Sequence, residues 1–199
     1  MKLLNLPNFL TLLRVAVIPF ILLFYYLPNW WGHSVAAILF ALACITDWLD
    51  GYLARSLKLA TRFGAFLDPV ADKVMVCIVL ILVVGEPQFQ FIGFPHHVYT
   101  VPAVVLTLPA AIIVSREIIV SALREWMAEI GKRTSVAVSW LGKVKTSIQM
   151  LALSVLLFCD AATRTPIVII GYILLYVAAL LTIWSMMIYL KTAWPLLSE

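Results

Sequence analysis

Long apolar runs separated by short polar breaks dominate the pattern of this 199-residue chain. A helix needs about 20 predominantly apolar residues to cross a lipid bilayer, and several runs approach that length. Breaks fall at Pro28-Asn29, Gly85-Glu86-Pro87 and Gly131-Lys132-Arg133, where Gly and Pro disfavour a continuing helix. The pattern therefore predicts an all-α fold with six helices. We place them at residues 9–28, 34–56, 65–85, 101–130, 142–159 and 166–190.

Composition narrows this prediction to a polytopic membrane protein. Hydrophobic residues make up 64% of the chain, charged residues only 12%, and the mean hydropathy is +1.05. No polar stretch is long enough to fold separately, so we expect one membrane domain spanning residues 1–199. The net charge of +4 is modest. We expect a lipid bilayer as a partner, and no nucleic acid.

The basic residues predict the orientation of the six transmembrane helices. They cluster near one set of helix ends, whereas residues 86–101 contain no Lys or Arg. Because basic residues are enriched on the cytoplasmic side of membrane proteins, we expect both termini to be cytoplasmic. The residues that determine this orientation are Lys2, Arg14, Arg55, Lys58, Arg62, Lys132, Arg133, Lys143, Lys145 and Lys191.

The lengths of the uncharged runs predict a polar cavity. In the first five helices these runs have 11 to 14 residues, which cover about 17–21 Å at ~1.5 Å per residue. The hydrocarbon core is ~30 Å thick, so these helices become polar at a similar depth. We expect a cavity open to the cytoplasm and lined by helices one to five. The sixth helix is uncharged from Pro166 to Leu190, so we expect it to be mainly scaffold.

Four aspartates follow one ordered pattern within residues 47–72. The pattern reads Asp47-x2-Asp50-Gly51-x2-Ala54-Arg55-x8-Gly64-x3-Asp68-x3-Asp72. Helical spacing places positions 47, 50, 51 and 54 on one face, and it stacks positions 68 and 72 on another. Carboxylates inside a membrane are rare and mark ion sites, pairs or wet cavities.

Two opposed acidic faces supply hard oxygen ligands. These suit Mg²⁺ or Mn²⁺, which keep water ligands and also take up substrate phosphates. Two such ions held by Asp47, Asp50, Asp68 and Asp72 could bridge a diphosphate. The guanidinium group of Arg55 would donate paired hydrogen bonds to phosphate oxygens. The simpler alternative is structural: Asp47 and Asp50 could pair with Arg55 or Lys73, and Asp68 could cap a helix.

The acidic pattern resembles the signature of the CDP-alcohol phosphatidyltransferase family, with every specified position matched. Three further segments resemble bacterial members of the family that use glycerol 3-phosphate. They are Asn5-Leu6-Pro7-Asn8-x2-Thr11-x2-Arg14, Ser115-Arg116-Glu117-Ile118 through Arg124-Glu125, and Gly142-Lys143-x-Lys145-Thr146-x2-Gln149. The resemblance covers essentially the whole chain.

The resemblance implies a six-helix membrane fold, usually homodimeric, in the bacterial cytoplasmic membrane with the active site facing the cytoplasm. It also implies transfer of the phosphatidyl group from CDP-diacylglycerol to sn-glycerol 3-phosphate, with release of CMP. The family assigns metal binding to the aspartates and proposes the last one, here Asp72, as general base. The residues it places near the CDP-diacylglycerol are Asn8, Thr11, Arg14, Gly51, Ala54, Arg55 and Gly64.

Charge indicates where the acceptor would bind. Glycerol 3-phosphate is a dianion, so its site needs cations that the acidic cluster does not provide. Arg116, Arg124, Lys143 and Lys145 are the candidates, and Glu117 is spaced to orient Arg124. The two lysines could instead be simple membrane anchors.

Two other functions remain open from sequence. An enzyme of the same chemistry with another acceptor, of the cardiolipin, inositol phosphate or serine type, would keep the aspartates and change the cationic pocket. Alternatively, intramembrane charges could belong to a cation transporter. A transporter needs a polar path to both faces, whereas the outer part of these helices carries no charge.

Overall fold

The computed structural model describes the backbone of residues 6–56, 61–94, 97–131, 140–160 and 165–197. Within those ranges, the side chains of residues 6–7, 48, 50–56, 62, 65, 92–94, 97–98, 140–141 and 195–197 lie outside the description. The prediction of an all-α chain with six helices is confirmed. The helices are α1 (Leu6–Tyr26), α2 (Gly32–Ser56), α3 (Arg62–Gly85), α4 (Val104–Glu129), α5 (Trp140–Phe158) and α6 (Thr165–Leu197).

Most helix ends differ from the predicted ones, and three of the differences bear on the site or on the length of a helix. Helix α1 begins at Leu6, so Asn8 lies inside the helix rather than just before its predicted start at residue 9. Helix α3 begins at Arg62, because the side chain of Thr61 accepts a hydrogen bond from the amide of Gly64 and caps the helix. The alternative that Asp68 caps this helix is therefore wrong. Helix α6 continues seven residues beyond its predicted end at residue 190.

A small antiparallel hairpin between α3 and α4 was not predicted. A 3₁₀ turn at Pro87–Gln90 leads into β1 (Phe91–Phe94), which pairs with β2 (His97–Thr100). Each strand has four residues, too few for an alternating pattern to stand out from the surrounding apolar sequence.

The helices form one bundle in which α3 contacts α1, α4 and α5. Helix α1 contacts α2 and α3, α5 contacts α2 and α6, and α4 contacts α6. Buried apolar side chains fill the centre, including Phe40, Met75, Ile113, Leu153 and Leu156. Many large apolar side chains point outward, as expected where lipid is the solvent.

Three described helical segments are long and apolar enough to cross a membrane: Asn8–Tyr26, Val104–Glu129 and Thr165–Trp194. Helix α2 contributes the shorter apolar stretch Gly32–Asp47. Helix α3 has Asp68, Asp72 and Lys73 in its first half, which reduces its apolar length. A crossing by all six helices stays a prediction.

Candidate active site

A buried arginine on α1 joins the first and last aspartates of the acidic motif. Nη1 of Arg14 donates a hydrogen bond to Oδ1 of Asp47 at 2.7 Å, and the same nitrogen contacts Oδ1 of Asp72. Arg14 is only 1% exposed, whereas about a third of each aspartate side chain is exposed. One cation therefore ties α1 to both α2 and α3 while the two carboxylates remain accessible.

The other polar residues of α1 bind the beginning of α3. Oγ1 of Thr11 donates to Oδ1 of Asp68 at 2.6 Å, and Oγ1 of Thr61 donates to Oδ1 of Asn8 at 3.0 Å. Asn8, Thr11 and Arg14 are all buried. These residues recur at every third position of α1, so they form a polar stripe on an otherwise apolar helix. This stripe explains why the helix extends through Asn8.

Gly64 is required by the close approach of α1 to α3. A Cβ atom at this position would lie 2.5 Å from Oδ1 of Asn8 and 3.3 Å from Oγ1 of Thr61. Any side chain here would push Asn8 or the helix cap aside. The glycine of the motif therefore has a packing role in addition to the substrate contact predicted from the resemblance.

Three motif aspartates lie close together where α1, α2 and α3 meet. Asp47 and Asp72 contact the same nitrogen of Arg14, and Asp68 lies one turn before Asp72. Partly exposed carboxylates are suitable ligands for Mg²⁺ or Mn²⁺, so the donor set fits a divalent ion. Among the described side chains, which exclude that of Asp50, no group of three His, Cys, Asp or Glu is arranged as a metal site. The motif residues Asp50, Gly51, Ala54 and Arg55 lie on α2, with side chains outside the description.

A cavity of about 300 Å³ connects this acidic cluster to the cationic residues of α4. It lies between α3, α4, α5 and α6, so α6 contributes to its wall rather than serving only as scaffold. Acidic side chains of α3 and arginines of α4 share the one space. The lining residues are Asp68, Pro69, Asp72, Lys73, Val76, Arg116, Glu117, Arg124, Gly142, Thr146, Gln149, Met150 and Tyr189.

A partly buried glutamate, Glu117, organises two cations at this cavity. Oε1 of Glu117 accepts hydrogen bonds from Nη1 of Arg116 at 3.0 Å and from Nζ of Lys145 at 2.5 Å. The second guanidinium nitrogen of Arg116 donates to Oγ of Ser185 on α6 at 3.2 Å. Arg116 and Lys145 are both buried, and a buried charge requires a partner. The three charged groups leave one net positive charge at this wall.

Arg124 is held by a tyrosine rather than by Glu117. Nη2 of Arg124 donates to the hydroxyl of Tyr189 at 2.9 Å, and its Cζ lies 5.2 Å from the centre of the Tyr189 ring. Glu117 is bound to Arg116 and Lys145 instead. The predicted Glu117–Arg124 pairing is therefore wrong. The separation of seven residues placed both on one face of α4, but it could not reveal closer partners on other helices.

The four predicted acceptor-binding cations occupy different positions. Arg116 and Arg124 line the cavity, and Lys145 reaches it through Glu117. Lys143 is exposed and lies outside the set of lining residues. The structure thus brings together three of the four with Asp68 and Asp72.

Three residues at this site were missed by sequence reasoning. Lys73 lines the cavity directly after Asp72, and its position beside the motif was an available signal. Ser185 and Tyr189 lie four residues apart on α6 and both contact arginines of α4. Their helix contains no charge from Pro166 to Leu190, so its polar face gave no electrostatic signal.

Residues 4–184 match the family model described as CDP-alcohol phosphatidyltransferase, and the chain belongs to this family. It is therefore a membrane protein of a family that uses divalent metal ions.

Individual relatives share more than half of their residues with this chain. A CDP-diacylglycerol–glycerol-3-phosphate 3-phosphatidyltransferase from Yersinia enterocolitica is 54% identical over 196 residues, covering 98% of each chain. The protein of the same name from Sodalis glossinidius is 55% identical over 190 residues, covering 96% of this chain and 95% of its own. The protein of the same name from Pectobacterium atrosepticum is 53% identical over 189 residues, covering 95% of this chain and 94% of its own.

Proposed function

We propose that this chain transfers the phosphatidyl group of CDP-diacylglycerol to sn-glycerol 3-phosphate, giving phosphatidylglycerophosphate and CMP. The observation that carries the proposal is the single cavity in which Asp68 and Asp72 share a space with Arg116 and Arg124. An acceptor that carries both a nucleophilic hydroxyl and a phosphate needs a base and cations within reach of one another. The full-length relatives with this activity in their names support the same acceptor.

The metal ions in this proposal are Mg²⁺ or Mn²⁺, two of them, held by Asp47, Asp50, Asp68 and Asp72. Bound divalent ions stabilise the negative charge that develops on a diphosphate as it is cleaved. The arrangement of Asp47, Asp68 and Asp72 around the α1–α3 junction supports this assignment. Arg14 provides positive charge between two of these carboxylates from the protein itself.

The cytidine diphosphate would bind where α1 meets the acidic motif. The small residues Gly51 and Ala54 would allow close backbone approach, and Arg55 would bind phosphate oxygens. Gly64 would contribute at the point where it meets Asn8. Asn8, Thr11 and Arg14 would line the same side, since their stripe packs against the beginning of α3. The acyl chains would remain in the bilayer.

Asp72 is the proposed general base. It lines the cavity, and a third of its side chain is exposed. In this mechanism Asp72 accepts the proton of the acceptor's primary hydroxyl, and that oxygen attacks the lipid-linked β-phosphorus. The bond from this phosphorus to the oxygen of the leaving CMP breaks. Arg116, Arg124 and Lys145 would hold the acceptor's phosphate, with Lys143 as a further, exposed cation on α5.

We further propose that the chain crosses the bacterial cytoplasmic membrane six times as one domain, with both termini and the active site cytoplasmic. The distribution of basic residues along the sequence supports this topology. We expect a homodimer, as the family resemblance implies.

Release of CMP tests the function directly. Purified protein would receive CDP-diacylglycerol and Mg²⁺ or Mn²⁺, with glycerol 3-phosphate, inositol phosphate, serine or phosphatidylglycerol supplied separately. We expect release that requires both metal and glycerol 3-phosphate and is lost in Asp72→Ala. Release with a different acceptor would keep the chemistry and refute the proposed substrate. No release by folded protein with any acceptor would refute the enzyme assignment.

A further inference from the structure

We propose that Tyr189 of α6 is a positioning residue that holds Arg116 and Arg124 for the phosphate of the acceptor alcohol. The inference rests on the proposed function, because it assigns a role within the same acceptor pocket. Tyr189 itself is not required to touch the substrate. It acts through the two arginines.

The geometry around Tyr189 carries the proposal. Its ring centre lies 5.7 Å from Cζ of Arg116 and 5.2 Å from Cζ of Arg124, within the range of cation–π contacts. Its hydroxyl also accepts the hydrogen bond from Nη2 of Arg124. The tyrosine is 4% exposed and packs with Val120 and Met127 of α4, so the ring has a fixed position. One rigid aromatic group therefore contacts both arginines of the cavity.

The two arginines need such a support because of where they lie on α4. Eight residues separate Arg116 from Arg124, which is about 12 Å along a helix axis. They also carry like charges, which repel each other most where water is scarce. The electron-rich face of Tyr189 attracts both guanidinium groups and limits the conformations of these long side chains. A site with cations already in place loses less conformational freedom when the anion binds.

This arrangement favours a phosphorylated alcohol over a neutral one. A guanidinium presents paired N–H donors that match phosphate oxygens. Two guanidinium groups therefore suit a dianionic phosphate better than they suit a neutral hydroxyl group. Tyr189 should therefore affect the recognition of the acceptor's phosphate. It should have little effect on CDP-diacylglycerol, which binds on the side of α1 and α2.

The test measures KM and kcat for each substrate separately in Tyr189→Leu and Tyr189→Phe. Loss of the ring in Tyr189→Leu should raise the KM for glycerol 3-phosphate by about tenfold or more, consistent with the strength of desolvated cation–π contacts. The KM for CDP-diacylglycerol should change less than about twofold. Tyr189→Phe keeps the ring and loses one hydrogen bond, so its increase should be only about threefold to fivefold. The matched control is Tyr176→Leu on the same helix, since Tyr176 lines a different, apolar pocket away from the arginines.

A double-mutant cycle separates positioning from general destabilisation. If Tyr189 acts through Arg124, the effect of Tyr189→Phe on the KM for glycerol 3-phosphate should largely disappear in an Arg124→Gln background. Should Tyr189→Leu fail to fold, this cycle decides the matter with the milder variant. Protection of the protein from thermal unfolding by glycerol 3-phosphate gives a second readout that needs no turnover.

Three outcomes would overturn the inference. They are an unchanged KM for glycerol 3-phosphate in both variants, equal increases for both substrates, or fully additive effects in the cycle. Failure of the proposed function looks different, because the wild-type protein itself would then release no CMP in response to glycerol 3-phosphate.

Discussion

Replacing Arg14 with methionine tests whether the charge of Arg14, rather than its volume, holds the acidic motif together. Methionine keeps much of the side-chain length but has no charge and no N–H donors. The substitution removes the contacts to Asp47 and Asp72 and leaves two neighbouring carboxylates without their shared cation. Because like charges at short distance repel, we expect the junction of α1, α2 and α3 to be weakened.

The size of the effect follows from the burial of each partner. A hydrogen bond to a charged group contributes about 1.5–3 kcal/mol, and exposure of the partner reduces this value. Arg14 is buried while a third of each aspartate side chain is exposed, so we expect a total loss of about 2–3 kcal/mol. For a chain of this size, that loss corresponds to a decrease of roughly 5–10 °C in Tm.

Thermal unfolding in detergent, with EDTA or with Mn²⁺, provides the assay. Mn²⁺ should raise the Tm of Arg14→Met more than that of the wild type, because a divalent cation replaces the lost positive charge between the aspartates. Lys191→Met is the matched control, since Lys191 is exposed near the end of α6. An unchanged Tm, or a decrease that Mn²⁺ does not relieve, would refute the reasoning.

Three further substitutions test other parts of the site. Asp72→Asn should lower kcat by about 10²–10⁴-fold, as expected for a general base, with smaller changes in KM; near-normal turnover in a CMP-release assay would exclude that role. Gly64→Ala should lower both Tm and activity, because its Cβ would meet Asn8 at 2.5 Å; unchanged unfolding would show that the junction can relax. Lys145→Met should raise the KM for glycerol 3-phosphate, because Glu117 would then neutralise Arg116 alone. Lys145→Arg should bring the KM part of the way back to the wild-type value. Equal KM values for wild type and Lys145→Met would contradict this.

The helices and the charged candidates could be predicted because each depends on local sequence. Apolar runs of sufficient length determine where helices form in a membrane, and carboxylates and guanidinium groups within them stand out. Asp47, Asp68, Asp72, Arg116 and Arg124 were identified in this way. Their helices are those predicted, with end points shifted by a few residues.

The partners of these charges could not be predicted, because they depend on how the helices rotate against one another. Sequence offered Arg55 or Lys73 as a partner for Asp47, whereas packing places Arg14 of α1 there. The role of Tyr189 could not be predicted from the sequence for another reason. A tyrosine in a long apolar helix of a membrane protein is unremarkable until the structure shows two arginines beside its ring.

The division of charge within the cavity has a consequence for regioselectivity. The α3 wall, which includes Lys73 beside its two aspartates, is net acidic, and the α4 wall, which includes Glu117 beside its two arginines, is net basic. A molecule with a dianionic end would therefore enter with a fixed polarity. Under the proposed function its phosphate would face α4, and the hydroxyl farthest from that phosphate would be presented to Asp72. In glycerol 3-phosphate that is the primary hydroxyl, and the secondary one would be held short of the proposed base. The electric field across the cavity would then select which oxygen becomes phosphatidylated before any bond is formed.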